Sequence, residues 1–122
     1  NHEIIFMEAE NYELLKGLPI SLFINIASMQ EMNLEVIQHY FQYMRSSLLI
    51  PYFYCCNRLE KKLPDGTMVR FLDYPWDKDD KILIDELSPW YQTYPAPNPP
   101  FWRSFDGPIY HRLVKLKRRP LE

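Results

Sequence analysis

Two short segments hold the residues whose types could do chemistry. Ala27 to Met32 (ASMQEM) follows one apolar run, and Asn57-Arg58 follows another. Parallel sheets bind ligands beyond the carboxyl ends of their strands, so a site belongs at both places. Gln30 and Glu31 are polar residues set between an apolar run and a helix start. Either they meet a ligand, or Glu31 simply offsets the helix dipole. Asn57 and Arg58 carry a similar pair of readings, ligand contact or solvation of a loop. His111 stands alone in the middle of an alternating segment, where a histidine is more often structural than catalytic. His2 and His39 read as a terminus and a helix side chain. No His or Cys pair has zinc spacing. Asp77, Asp79 and Asp80 lack the glycine and distal glutamate of a calcium loop, so they read as a solvated turn. Gly17, Gly66 and Gly107 are the only glycines, too few and too scattered for a phosphate-cradling loop. Trp76, Trp90 and Trp102, with Tyr91 and Tyr94, are the types that line sugar-binding or lid surfaces; tightly packed loops have the same composition.

The elements that must hold these residues follow from periodicity. Ile20 to Ile26 (ISLFINI) is nearly all apolar and rich in strand formers, as expected of a strand buried on both faces. Asn33 is a good N-cap, and Leu34, Ile37, Phe41, Met44 and Leu48 recur at spacings of three and four, which predicts an amphipathic helix. Beyond Pro51, Tyr52 to Cys56 (YFYCC) predicts a second apolar strand, so the three elements form a parallel crossover unit. Glu3 to Met7 is a short strand-like run, and Ala9 to Lys16 has room for two helical turns before Gly17 and Pro19. Pro64-Asp65-Gly66 is a turn signal, and Thr67 to Leu72 alternates like an antiparallel strand. Residues 73–108 read as a long irregular region with a short helix around Lys81 to Leu87. Ile109 to Lys117 alternates like a closing strand with one wetter face.

Composition bounds the function. The chain has 122 residues, 47% of them hydrophobic and 25% charged, which suits one folded domain and excludes wholesale disorder. Its net charge of −2 gives no basic field for nucleic acid or an anionic membrane. The one basic cluster, Lys115, Lys117, Arg118 and Arg119, reads as a solvated strand end. Eight of the eleven prolines lie between Pro64 and Pro108, so that half must hold ordered loops. Cys55 and Cys56 are adjacent, and neighbours on a strand face opposite ways, so they are poorly placed to bond to each other. Two buried thiols, no run near the ~20 apolar residues of a membrane span and no signal-peptide pattern together read as cytoplasmic. One crossover unit leaves sheet edges and a face uncovered. Upstream sequence or a second copy pairing at the exposed edge would supply the missing partner.

Several segments carry a more specific signal. FINIASMQEM (Phe23 to Met32), YFYCCNR (Tyr52 to Arg58), LDYPW (Leu72 to Trp76) and DGPIYHRLVKL (Asp106 to Leu116) resemble the C-terminal part of a family of sugar O-methyltransferases. That family uses S-adenosylmethionine and has a Rossmann-like methyltransferase fold. The resemblance implies an α/β chain forming the C-terminal half of such a sheet, a parallel strand–helix–strand unit followed by antiparallel closing strands and long Pro- and aromatic-rich loops. Residues 1–122 would then be a single partial domain, without the glycine-rich cofactor turn and inactive on its own. It also implies that Ala27, Ser28, Met29 and Gln30 border the methionine end of S-adenosylmethionine. On the same reading, Glu31 and His111 are bases for a sugar hydroxyl, and Asn57 and Arg58 orient the substrate. A carbohydrate-binding or assembly module that dimerises through a sheet edge is the competing expectation. A nucleotide-sugar transferase is a third, weakened by the absence of a phosphate loop.

Overall fold

Asn33 caps a helix as its position predicts: its Oδ1 accepts the Val36 N–H at 3.0 Å. Helix α1 runs from Leu34 to Ser47. The computed structural model describes residues 4–47 and 52–120; His2, Glu3, Leu48 and Pro51 lie outside them. Ile37, Phe41 and Met44 form the buried stripe of α1, and the Phe41 ring meets Phe53 edge-on at 5.5 Å and Trp76 at 5.0 Å.

Among the described residues there are eight strands, in chain order β1 Leu22–Ile26, β2 Tyr52–Arg58, β3 Glu60–Lys62, β4 Met68–Arg70, β5 Lys81–Leu87, β6 Thr93–Pro95, β7 Trp102–Ser104 and β8 Ile109–Lys115. Four of them make the main sheet, in the order β1-β2-β8-β5. β1 and β2 are parallel, and β8 is antiparallel to both β2 and β5. β3 with β4 and β6 with β7 form separate antiparallel ribbons. The β3–β4 turn uses Gly66 at φ +89°, a conformation that suits glycine, and Asp65 Oδ1 accepts the Thr67 N–H at 2.9 Å.

The expectation of a Rossmann-like methyltransferase half-sheet is not met. The sheet is mixed, β-structure exceeds helix, and β1–α1–β2 is the one parallel strand–helix–strand unit among the described residues. Lys81 to Leu87 is a strand rather than a helix. Its apolar residues Ile82, Leu83 and Ile84 are consecutive and two are β-branched, which suits a strand better than a helical stripe. Thr67 to Leu72 yields only the short β4, which pairs outside the main sheet. Residues 4–7 are exposed and not in a strand, and Ala9–Leu15 is a 3-10 helix.

Alternation along the strands gives the main sheet two unlike faces. Phe53 and Cys55 of β2 and Val114 of β8 join α1, Val69, Phe71 and Trp76 in the core. Trp76 is held there by its indole N–H donating to the Phe71 carbonyl at 2.8 Å and by the Arg112 guanidinium 4.6 Å from its ring. The opposite face is bare along β1, where Leu22, Ile24 and Ile26 are 44%, 56% and 43% exposed, but covered at Cys56 and His111, which are buried. The expected burial of Ile20–Ile26 on both faces therefore fails, because β1 is an edge strand with a layer on one side only.

Candidate functional site

The carboxyl ends of β1 and β2 meet in a hydrogen-bonded corner. After β1 the chain turns sharply at Ala27, whose φ of +55° is unusual for a residue with a side chain and costs on the order of 1 kcal/mol. The Ala27 N–H still donates to the Cys56 carbonyl at 2.8 Å, the last link before the strands part. A single 3-10 turn, Met29–Glu31, follows and leads toward α1.

Asparagine side chains fix this corner. Asn25 Oδ1 accepts the Met29 N–H at 3.0 Å, and Asn25 Nδ2 donates to Ser28 Oγ at 3.2 Å. Asn57 is fully buried; its Oδ1 accepts the Gln30 N–H at 3.2 Å, while its Nδ2 donates to Asn25 Oδ1 at 3.1 Å and lies 3.2 Å from Cys55 Sγ. Gln30 Oε1 accepts the Arg58 N–H at 2.8 Å, tying the two segments together from the other side. Amides paired in this way rigidify the backbone they hold.

The residues singled out in the sequence thus divide into three places. Ala27 and Ser28 are half-buried at the corner, whereas Met29 and Gln30 turn their side chains into the protein. Ser28 also borders an apolar cleft of ≈ 260 Å³ with Asn25, Phe23, Tyr12 and Tyr40. Glu31 is exposed and pairs with Lys61 at 3.3 Å. Arg58 donates to the Asp106 carbonyl at 2.9 Å, lies over the Phe105 ring at 5.7 Å, and lines a cleft of ≈ 500 Å³ with Lys61, Lys62 and Asp106. That volume is within the usual range for small-molecule sites, and its rim is polar.

His111 is elsewhere, buried on the sheet face opposite α1. Its Nδ1 is 3.0 Å from the Tyr54 hydroxyl and its Nε2 is 3.3 Å from Glu86 Oε1. Burial, the main cause, pushes the Tyr54 phenol up to about 12, and it also raises the Cys56 thiol opposite His111. Sequence reasoning passed over Asn25, Tyr54 and Glu86. Asn25 had a visible signal, one amide inside an otherwise apolar strand. Glu86 had none, since it sits in a segment whose spacing suggested a helix.

The aromatic region 90–105 forms a cluster beside this face. Tyr91 and Phe105 rings are 5.0 Å apart, and Tyr94 and Phe105 rings are 5.3 Å apart. Trp90, Tyr94, Phe101 and Trp102 remain largely exposed. Among the described residues, no group of three His, Cys, Asp or Glu side chains is placed to hold a metal ion. No helix among them is long and apolar enough to cross a membrane. Comparison with protein-family models, with curated proteins and with solved structures returns no match.

Proposed function

We propose that this chain is part of an S-adenosylmethionine-dependent O-methyltransferase acting on a sugar hydroxyl. The observation that carries this reading is the hydrogen-bonded join between residues 27–31 and Asn57-Arg58 at the ends of two parallel strands, beside the Arg58 cleft. The segments that the sequence resemblance assigns to cofactor and to substrate share one corner. When bound, the cofactor supplies an electrophilic methyl group on a sulfonium centre.

The corner fits one border of that group. Ser28 Oγ accepts from Asn25 and keeps its own proton to donate to an amino-acid carboxylate. Ala27 offers little side-chain bulk beside it. Met29, Gln30 and Asn57 hold these two residues from behind. Arg58, on the cleft, is the residue of this corner suited to orient ligand hydroxyls. Glu31 lies on the same corner and His111 on the sheet face opposite α1, so the proton acceptor is one of two separate groups. The free, buried thiols Cys55 and Cys56 support a reducing compartment, the cytoplasm.

The test uses the full product of the reading frame that encodes the chain, S-adenosylmethionine labelled in its methyl group, and a panel of methyl glycosides. Label is expected in the sugar, with weaker cofactor binding in Ser28→Ala. The reading fails if no label moves and calorimetry detects no binding of S-adenosylmethionine. A second reading, a carbohydrate-binding module, is favoured by the exposed Trp90, Tyr94, Phe101 and Trp102. Glycoside binding without cofactor and without methyl transfer would select it.

A further inference from the structure

Arg58 ends β2 as a cation held in place from several sides. Its backbone N–H is taken by Gln30 Oε1 at 2.8 Å, and its Nη1 donates to the Asp106 carbonyl at 2.9 Å. Its guanidinium lies 5.7 Å from the centre of the Phe105 ring, which Tyr91 and Tyr94 flank in turn at 5.0 Å and 5.3 Å. A guanidinium fixed in this way loses little freedom on taking up a ligand. Its charge, however, is unanswered. Arg58 is in no ion pair among the described residues. Its Nε–H is shut off from water and has no acceptor, which is rare for a shielded donor. Part of this cation is thus neither hydrated nor bonded, so it gains more from an incoming anion than a fully solvated one would.

The cleft of ≈ 500 Å³ beside Arg58 carries more positive charge than its own carboxylates offset. Arg58, Lys61 and Lys62 line it, against Glu60 and Asp106. Glu60 is engaged by Arg70 at 3.3 Å, from outside the lining, and Lys61 by Glu31 at 3.3 Å. That leaves Arg58 and Lys62 against the single carboxylate of Asp106. Leu59, Met68 and Pro108 add apolar surface, and the Leu59 N–H, donating to the Pro108 carbonyl at 2.9 Å, ties two of the walls together. A positive cleft with apolar surface suits a ring that carries one anionic group. The cleft also adjoins the 27–31 corner through the Gln30–Arg58 and Glu31–Lys61 contacts.

We propose that the Arg58 cleft binds the anionic group of an acidic sugar, the carboxylate of a uronate or the phosphate of a sugar phosphate. This rests on the reading of the chain as acting on a sugar, and it names the class of sugar. Arg58 is the anchor: its Nη2, which donates to no acceptor among the described residues, reaches the oxyanion in a charge-assisted hydrogen bond. Lys62 is the second cation, and Asp106 opposes the ligand's charge and limits its affinity. The sugar ring lies on the apolar surface, with its hydroxyls toward the corner. No bond forms or breaks in the cleft; its residues decide which sugar is held there.

The test is calorimetry on the full reading-frame product with methyl glucuronide, glucose 1-phosphate and the neutral methyl glucoside. The first two separate a carboxylate site from a phosphate site. One of them is expected to bind about tenfold tighter than the neutral sugar, or more, with most of that margin lost in high salt. The margin is expected to fall several-fold in Lys62→Ala and to vanish in Arg58→Gln. Asp106→Asn is expected to tighten binding of the anionic sugar, a gain that a merely structural role would not produce. Lys62 and Asp106 are exposed, so both variants should fold. Equal binding of all three sugars, or a margin untouched by Lys62→Ala and Arg58→Gln alike, would overturn the proposal. Methyl transfer to neutral glycosides with every anionic sugar refused would overturn it and leave the methyltransferase reading intact. Charge-selected binding that follows Arg58, Lys62 and Asp106, with no methyl transfer to any sugar, would uphold the site and reject that reading.

Discussion

Arg45 and Asp80 face each other as a two-pronged ion pair, with N–O distances of 2.6 Å and 2.8 Å and side chains 7% and 1% exposed. Each terminal guanidinium nitrogen also donates to a backbone carbonyl, of Pro75 and of Lys117. The last turn of α1, the 75–80 loop and the chain just past β8 are held together by this one pair. Removing either partner leaves the other buried and uncompensated. Arg45→Met or Asp80→Asn should each cost about 3–5 kcal/mol, read as a lower denaturation midpoint in urea. The double variant should cost less than the sum of the singles.

The same pair gives stability a dependence on pH. Burial alone would raise the Asp80 carboxyl, but hydrogen bonds from Arg45 and from the backbone N–H groups of Lys117 and Asp77 outweigh it and hold the carboxyl below its usual range. A depressed folded value means the contribution is fully present above the unfolded value of about 3.9 and is lost as pH falls through the folded one. Denaturation midpoints should therefore be insensitive to this group at pH 6 and above, then decline below about pH 4. The decline should be shallower in Asp80→Asn.

Asn57 supports the corner between β1 and β2 rather than facing a ligand. Asn57→Ala leaves the Gln30 N–H without its acceptor and Asn25 Oδ1 with one donor fewer. Each buried group left unpaired costs about 1–3 kcal/mol. The expected outcome is a lower midpoint with an unchanged slope in denaturant. Ser28→Ala, which removes only one half-buried contact, should move the midpoint much less.

Cys55 and Cys56 should be inert in the folded protein. Both are buried, and burial raises both thiols, Cys55 the further of the two. Thiolate is the reactive form, so a maleimide at pH 7 should label neither within the time it takes to label both in urea. Rapid labelling of Cys56 in the native protein would show that the sheet face carrying His111 opens.

Local signals were legible where one residue or one period decided the outcome. The Asn33 cap and the stripe Ile37–Phe41–Met44 follow from short-range sterics and burial; a strand was also legible in Ile109 to Lys117, though it ends at Lys115 and its burial does not alternate into one wetter face. The fold class was not legible, because it depends on which strands pair and that is set by contacts far apart in sequence. Ile20 to Ile26 illustrates the limit: an apolar run signals a strand with hydrophobic side chains on both faces, not that both faces are covered. Lys81 to Leu87 failed for a related reason, since its pairing with β8 overrode a weak helical reading. The corner was half legible. Gln30 and Arg58 stood out by type, but the Asn25–Asn57 contact that joins them spans 32 residues, and nothing local announces it.

The place of β8 between β2 and β5 has a consequence for how the chain reaches its native state. β5 hydrogen-bonds to β8 alone within the sheet, so it emerges from the ribosome with no strand to join. The strand β5, residues 81–87, must wait unpaired until 109–115 arrive and slot in between. The order of synthesis and the order of assembly are therefore opposed in this half of the molecule. Formation of the sheet is governed by its last strand, and contacts of such long sequence separation make that step slow. Until it occurs, Ile82, Leu83 and Ile84 are exposed on a lone strand, which is the interval in which the nascent chain is most prone to pair with a neighbour.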